Sequence, residues 1–380
     1  MWDAIFVASA ATLVVAASYL SLGLLPSRRR DATPTLAPTP TLARTPTPTT
    51  LTPTPTPTPT LTRTRTFTPT RVLERPLAIQ DFDLRELIEQ IADRSAVRAH
   101  AKGVSFVADV PPQVPTHLRA DVGDLERVLV NLTGNAVELT DTGSVTLHVR
   151  PIRCSGVNVK LRFAVTDTGA GLATERVAAL LASRTRTDGG AGLGVALSEA
   201  LIVRMGGRMG IESEVGTGTM FWFEITLARQ ADVASDTHVT TSLRGCKILV
   251  VDDDWRCRGV VKQQLRAWGC NVLEATSALD AILHLAACGA NDPFDLVLMD
   301  LVMPEMGGIE ASRAIRANPV LRVVPIVLMT SLGIAVPHEA TREHGFAAVI
   351  TKPVRHAALL RAVQIAIGRP EGDSHLQAAG

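Results

Sequence analysis

Apolar and polar positions follow different rhythms in successive parts of the chain. Residues 4–25 form 22 positions without a charge. As a helix rising about 1.5 Å per residue, they would span the roughly 30 Å of a bilayer core. Residues 33–70 have no apolar period. Thr and Pro alternate there, as in Pro53-Thr-Pro-Thr-Pro-Thr-Pro59. Proline removes amide donors and fixes φ, so 31–72 is expected to be an extended, disordered linker. Periodicity begins near Phe82. Leu84, Leu87, Ile88, Ile91 and Ala92 are spaced i, i+3, i+4 and predict a helix over 83–102. Val104 to Val110 alternates like a strand. Leu125, Val128, Leu129, Leu132 and Ala136 predict a second helix over 121–140, and Leu161 to Val165 reads as another strand. Residues 230–244 are polar and unpatterned, a further linker. Beyond them lie four apolar runs of strand length: Lys247 to Val251, Asp295 to Met299, Val323 to Met329 and Ala347 to Ile350. Helical patterns separate them, for example Gly259 to Trp268 and Ser277 to Ala287. This alternation predicts a doubly wound parallel sheet. The polar tail, 370–380, is expected to be disordered.

A chain of 380 residues has room for two or three domains. Its net charge of +1 favours neither nucleic acid nor an acidic partner. The five cysteines, at 154, 246, 257, 270 and 288, have no C-x-x-C spacing, so neither a zinc site nor a disulfide framework is indicated. A reducing cytosol fits this usage. Arg28-Arg-Arg30 follows the first apolar stretch and only Asp3 precedes it. The expectation is a single-pass plasma-membrane helix with everything after it cytoplasmic. A cleaved signal peptide is the alternative, although the start Met-Trp-Asp lacks the basic region such a peptide needs.

Three glycine clusters lie between residues 167 and 219: Asp167-Thr-Gly-Ala-Gly171, Gly189-Gly-Ala-Gly-Leu-Gly194 and Gly216-Thr-Gly-Thr219. Glycines let backbone approach a ligand, and a helix N-terminus offers free N–H groups to anions. Asp167 beside such a turn could accept from the amino group of a base. Asn131 and Asn135, four apart on a largely apolar helix, need polar partners, because an unpaired buried polar group costs about 1–3 kcal/mol. Together these features point to nucleotide binding. In the C-terminal half every strand run ends in polar residues: Asp252-Asp-Asp254, Asp300, Thr330 and Lys352. Such sheets carry their sites at the carboxyl ends of strands. Clustered carboxylates repel unless a cation sits among them, and magnesium suits hard oxygen ligands. A lysine and a hydroxyl nearby could hold phosphoryl oxygens.

Asn131-Leu-Thr-Gly-Asn-Ala-Val-Glu-Leu-Thr140 resembles the N box of histidine-kinase ATP-binding domains, and the three glycine clusters resemble that family's glycine boxes. The likeness covers about 82–229, with the domain drawn at 80–229. It implies an α/β sandwich with a mixed sheet. Asn135 would be a magnesium ligand, Asn131 would line the phosphate side, and Asp167 would take the adenine amino group. Gly169, Gly171, Gly190, Gly192, Gly194 and Thr219 would line the ATP site. Glu138 stands where the family has Lys or Arg, and residues 175–188 contain no aromatic. None of the nine histidines lies in the His-Glu/Asp-x-x-Thr/Asn-Pro setting of a phosphoacceptor hairpin.

Residues 246–367 resemble response-regulator receiver domains, with the domain drawn at 245–369. The motifs are Val-Val-Asp-Asp253, Leu-Met-Asp-Leu-Val-Met-Pro-Glu-Met-Gly-Gly308, Met-Thr330-Ser331 and Thr-Lys352-Pro353. The resemblance implies that Asp300 accepts a phosphoryl group. Asp252, Asp253, Asp300 and the Val302 carbonyl would hold magnesium, and Thr330 and Lys352 would contact phosphoryl oxygens. It also implies a cis Lys352–Pro353 bond. The aromatic switch position holds Val349.

The whole is read as a hybrid histidine-kinase-like protein of a His-to-Asp phosphorelay. Its cofactors would be ATP and magnesium. The expected partners are a histidine-bearing kinase or phosphotransfer protein and a downstream response regulator. Membrane contact would run through the N-terminal helix, and no direct nucleic-acid contact is expected. Three alternatives stay open: a pseudokinase, a phosphate sink in which only the receiver acts, and a serine kinase of the anti-sigma type.

Overall fold

The computed structural model describes residues 76–368 except 183–190, 231–242, 289–291 and most of 332–343. The expected membrane helix at 4–25, the Thr/Pro linker at 31–72, most of the 230–244 linker and the tail at 370–380 lie outside the described residues. Among the described residues, no helix is long and apolar enough to cross a membrane.

The first domain is built on a mixed sheet. Its strands are β1 (Ile79–Asp83), β2 (Ser105–Asp109), β3 (His117–Asp121), β4 (Ser144–Cys154), β5 (Asn158–Asp167), β6 (Arg208–Glu214) and β7 (Gly218–Arg229). The order is β1-β3-β7-β5-β4-β2, with β6 paired to β7. Only β2 and β4 run parallel. Helices α1 (Leu84–His100), α2 (Val122–Leu139), α3 (Thr174–Ala182) and α4 (Ala191–Arg204) connect them.

The helix starts follow from local chemistry. The first N–H groups of a helix need outside acceptors. Asp83 accepts from the Glu86 amide at 3.0 Å, and Asp121 accepts from the Asp124 amide at 3.1 Å. The expected stripes face inward: Leu84, Ile88, Ile91, Leu125, Leu129 and Leu132 are fully buried. They share one core with the inner face of the sheet, where the rings of Phe163 and Phe223 stack at 4.7 Å. The neighbouring positions point the other way. On that face the Arg162 guanidinium lies 4.2 Å from the centre of the Trp222 ring, and Glu224 pairs with Lys160 and Arg208. One apolar and one charged face is what alternation in a half-covered sheet requires.

The second domain is a five-stranded, all-parallel sheet, β9-β8-β10-β11-β12. Its strands are β8 (Lys247–Val251), β9 (Asn271–Ala275), β10 (Leu296–Asp300), β11 (Ile326–Ser331) and β12 (Ala348–Lys352), joined by α5 (Trp255–Ala267), α6 (Ala278–Cys288), α7 (Gly308–Ala317) and α8 (His356–Ala366). Both faces are covered, which explains the uninterrupted apolar runs. Ile248, Leu298 and Val327 pack on the side of α5 and α8, whereas Leu249, Val297 and Leu328 pack on the side of α6 and α7.

Two expectations are corrected. The sheet has five strands, not four, because Asn271–Ala275 is an edge strand with an exposed Asn271 and a half-buried Glu274. Strand β11 starts at Ile326 rather than Val323. Val323 is exposed, and Pro325 stands immediately before the strand.

Candidate nucleotide and phosphoacceptor sites

The first candidate site gathers where α2, α4 and the ends of β5 and β7 meet. Asp167 is the last residue of β5 and is buried. Its Oδ1 accepts from the amides of Gly169 at 2.9 Å and Thr219 at 3.2 Å. Burial raises its pKa, while those two N–H groups pull the other way. The second oxygen, Oδ2, accepts no hydrogen bond from the described residues and can face a ligand.

Glycine is required at two of these turns. Gly171 has φ +68°, and a Cβ there would stand 2.0 Å from the Glu214 carbonyl oxygen. Gly218 has φ +125°, and a Cβ there would reach the carbonyl oxygen of Asp167 itself at 2.0 Å. The first and third glycine clusters are therefore locked together around Asp167. The Thr219 hydroxyl is 2.9 Å from that of Ser213.

Asn131 and Asn135 lie on α2, as their spacing implied. Asn131 Nδ2 donates to Ser198 Oγ of α4 at 2.9 Å. Asn135 Nδ2 is buried and has no partner among the described residues. That orphaned amide fits a ligand-facing role, since a buried polar group without a partner is costly. Gly192 and Gly194 lie in the first turn of α4. Gly190 lies outside the described residues. Glu138 is exposed near the end of α2, and Lys102 Nζ donates to its backbone carbonyl at 2.8 Å.

The second candidate site lies at the carboxyl ends of β8 and β10. There the strand order reverses around the central strand, the place where open α/β sheets bind ligands. Ligand oxygens of Asp252, Asp253 and Asp300 lie within 4.8 Å of one another. Asp252 and Asp300 are buried and Asp253 is exposed. Lys352 Nζ stands between the two buried carboxylates, 2.8 Å from Asp252 Oδ2 and 2.8 Å from Asp300 Oδ1. Burial pushes Asp300 up to about 6, with Lys352 opposing the shift and Asp252 adding to it. Burial works against the charge on Lys352, yet Cys257, Asp252 and Asp300 together raise its pKa. Three acids against one lysine leave excess negative charge, and their all-oxygen donors fit magnesium.

Thr330 is buried and its hydroxyl donates to the Ile334 carbonyl at 3.2 Å. Val302 follows β10 with its side chain exposed. The Lys352–Pro353 bond is cis, and Val349 sits half-buried on β12. Gly308 allows α7 to start against β10, because a Cβ there would meet the Asp300 carbonyl oxygen at 2.4 Å.

Several supporting groups were not singled out from the sequence. Ser198 holds Asn131, and Arg258 Nη1 donates to the Asp252 carbonyl at 2.6 Å. Asp254, third in the acidic run, caps α5 by accepting from the Arg256 amide at 3.0 Å. Only its position just before a helical pattern hinted at that role.

Residues 120–229 match the family described as histidine kinase-, DNA gyrase B- and HSP90-like ATPase, and residues 248–364 match the response regulator receiver domain. The sensor histidine kinase AruS of Pseudomonas aeruginosa is 34% identical over 295 residues, which is 74% of this chain and 29% of that protein. The sensory/regulatory protein RpfC of Xanthomonas campestris is 29% identical over 322 residues, 74% of this chain and 43% of that protein. Among solved structures, full-length ShkA in complex with AMPPNP aligns with a TM-score of 0.58 and 28% identity, covering 77% of this chain and 58% of that one. The chain thus spans less than half the length of these two curated relatives. With an ATPase domain of the histidine-kinase type followed by a receiver, it belongs to the hybrid sensor histidine kinase family of two-component signalling proteins.

Proposed function

We propose that this protein takes part in a phosphorelay that ends on its own Asp300. The observation that carries the reading is the placement of Lys352 between Asp252 and Asp300, with Asp253 alongside. Magnesium bound by these carboxylates would offset their repulsion and the charge of an incoming phosphoryl group. Asp300 attacks the phosphorus of a phosphohistidine. Its O–P bond forms as the N–P bond breaks, and the histidine nitrogen leaves with the electron pair. Lys352 and Thr330 then hold phosphoryl oxygens.

In the first domain ATP binds with its adenine amino group on Asp167 Oδ2. Asn131 would line the phosphate side, and Asn135 would supply a ligand to the nucleotide's magnesium. The γ-phosphoryl group passes to a histidine and ADP departs. That histidine lies outside these 380 residues, since none of the nine here lies in a phosphoacceptor setting. Catalysis of this kind rests on positioning and charge rather than on a protein nucleophile. The uncharged stretch 4–25 would tether the chain to a membrane, with the folded domains on the cytoplasmic side.

A second reading is favoured by Glu138, a carboxylate where the family places a base. In it the first domain does not turn ATP over and the receiver acts as a phosphate sink. Incubating the purified chain with labelled ATP and a histidine-bearing kinase fragment separates the two. Label on the fragment that requires Asn135 and then moves to Asp300 supports the first reading. Label that reaches Asp300 only from a fragment already phosphorylated supports the second. Acid-labile label on this chain that survives Asp300→Asn removes the claim of a histidine in trans.

A further inference from the structure

The two domains touch at an edge of the phosphoacceptor pocket. Arg355 precedes α8 at its cap position but makes no side-chain cap hydrogen bond. The acceptor that α8 lacks comes from the other domain: the His356 amide donates to Glu89 Oε1 of α1 at 2.9 Å. One turn along α1, Asp93 forms an ion pair with Arg355. At the start of β2, Ser105 Oγ donates to Asp254 Oδ2 at 3.0 Å. Both receiver segments involved also carry pocket residues. Asp254 follows Asp252 and Asp253, and Arg355 and His356 follow Lys352. A protein that delivers a phosphoryl group to Asp300 must approach across these same segments.

The geometry points to a latch: α1 of the ATPase domain, through Glu89 and Asp93, covers part of the receiver's phosphoacceptor rim, and phosphorylation of Asp300 opens that contact. Two features set the direction. Lys352 is shared between Asp252 and Asp300, so new phosphoryl oxygens on Asp300 compete for its ammonium, and Arg355 and His356 lie on the turn that follows it. Both latch groups on α1 are carboxyl groups, so a phosphoryl group adds negative charge to the rim they face. A contact of a few hydrogen bonds and one half-exposed ion pair is small enough to open reversibly. The inference rests on Asp300 being the phosphoacceptor.

The test is amide hydrogen exchange on the purified full chain, followed in peptides from 84–100 and 352–366. Phosphoramidate with magnesium serves as the donor; its P–N bond breaks, ammonia leaves and an Asp300 acyl phosphate forms. Asp93→Arg should raise exchange in both peptides about threefold or more, and adding Arg355→Asp should restore protection by re-forming the pair in reverse. Phosphoramidate should produce the same rise in the native chain and none in Asp300→Asn. Unchanged exchange in Asp93→Arg would overturn the latch. So would unchanged exchange in a chain whose mass shows one added phosphoryl group. No added mass at all would overturn the phosphoacceptor reading and the latch with it.

Discussion

The amide of Thr219 donates to Asp167 Oδ1 at 3.2 Å, across 52 residues of sequence. The Gly169 amide uses the same oxygen, so Oδ1 is fixed by backbone and only Oδ2 is left for a ligand. A side-chain carboxylate accepts but does not donate. Asp167→Asn keeps an oxygen where the two amides need one and puts an NH2 group where Oδ2 stood. Stability should change by less than about 1 kcal/mol, because both backbone bonds survive. ATP affinity should fall about tenfold to a hundredfold, since two donors would face each other. Inosine triphosphate, with an acceptor in place of the amino group, should gain relative to ATP. Calorimetric titration with both nucleotides checks the reversal of preference.

Gly194 of α4 lies close against Asn131. A Cβ there would stand 2.3 Å from Asn131 Oδ1 and 3.0 Å from Nδ2, and Asn131 cannot swing aside without losing Ser198. Gly194→Ala should lower stability by about 1–3 kcal/mol through overpacking. In the double variant with Asn131→Ala, stability should return while ATP binding stays lost. Thermal melts and nucleotide titrations of the four chains complete the cycle.

These residues also mark how far the sequence could be read. Strands β8, β10 and β11 were legible because both their faces are buried and leave continuous apolar runs. Strand β9 was not, because an edge strand beginning on Asn271 and carrying Glu274 has the composition of a loop. The run Asp252-Asp-Asp254 offered three carboxylates, and the family motif selected the first two. Only backbone geometry gives the reason: the third is turned away to cap α5. Local rules could find caps, stripes and turns. They could not find Ser198 opposite Asn131, 67 residues away, nor the contact of Glu89 with His356, 267 residues away.

Trp255 is the first residue of α5, two positions after Asp253, and its side chain is largely exposed. Trp222 and Trp268 are buried. Magnesium entering between Asp252, Asp253 and Asp300 changes the charge beside that indole, so titration with the metal should shift its fluorescence. Trp255→Phe should abolish the signal without changing metal affinity measured by calorimetry. Asp253→Asn removes one of three carboxylates and should weaken binding about tenfold or more. Persistence of the fluorescence change in Trp255→Phe would assign it to another tryptophan.

Asp300 carries a penalty that depends on pH. In the folded chain its pKa stands at about 6, against 3.8 for an unperturbed aspartate, chiefly because it is buried. A group whose pKa is raised by folding contributes most below its unfolded value and loses that contribution as pH climbs through the folded one. With a chelator present, the native chain should therefore lose stability between about pH 4 and pH 6 relative to Asp300→Asn. Above that window the variant should be more stable by about 1–3 kcal/mol, and below it the two should converge. Lys352 opposes the shift, so Lys352→Met should carry the upper edge of the window to higher pH. Saturating magnesium should pull it down, because a cation favours the ionised carboxylate. Denaturant unfolding at each pH, with and without the metal, measures all three displacements. A native chain that tracked Asp300→Asn throughout would mean that Asp300 titrates as though exposed, and would overturn the raised pKa.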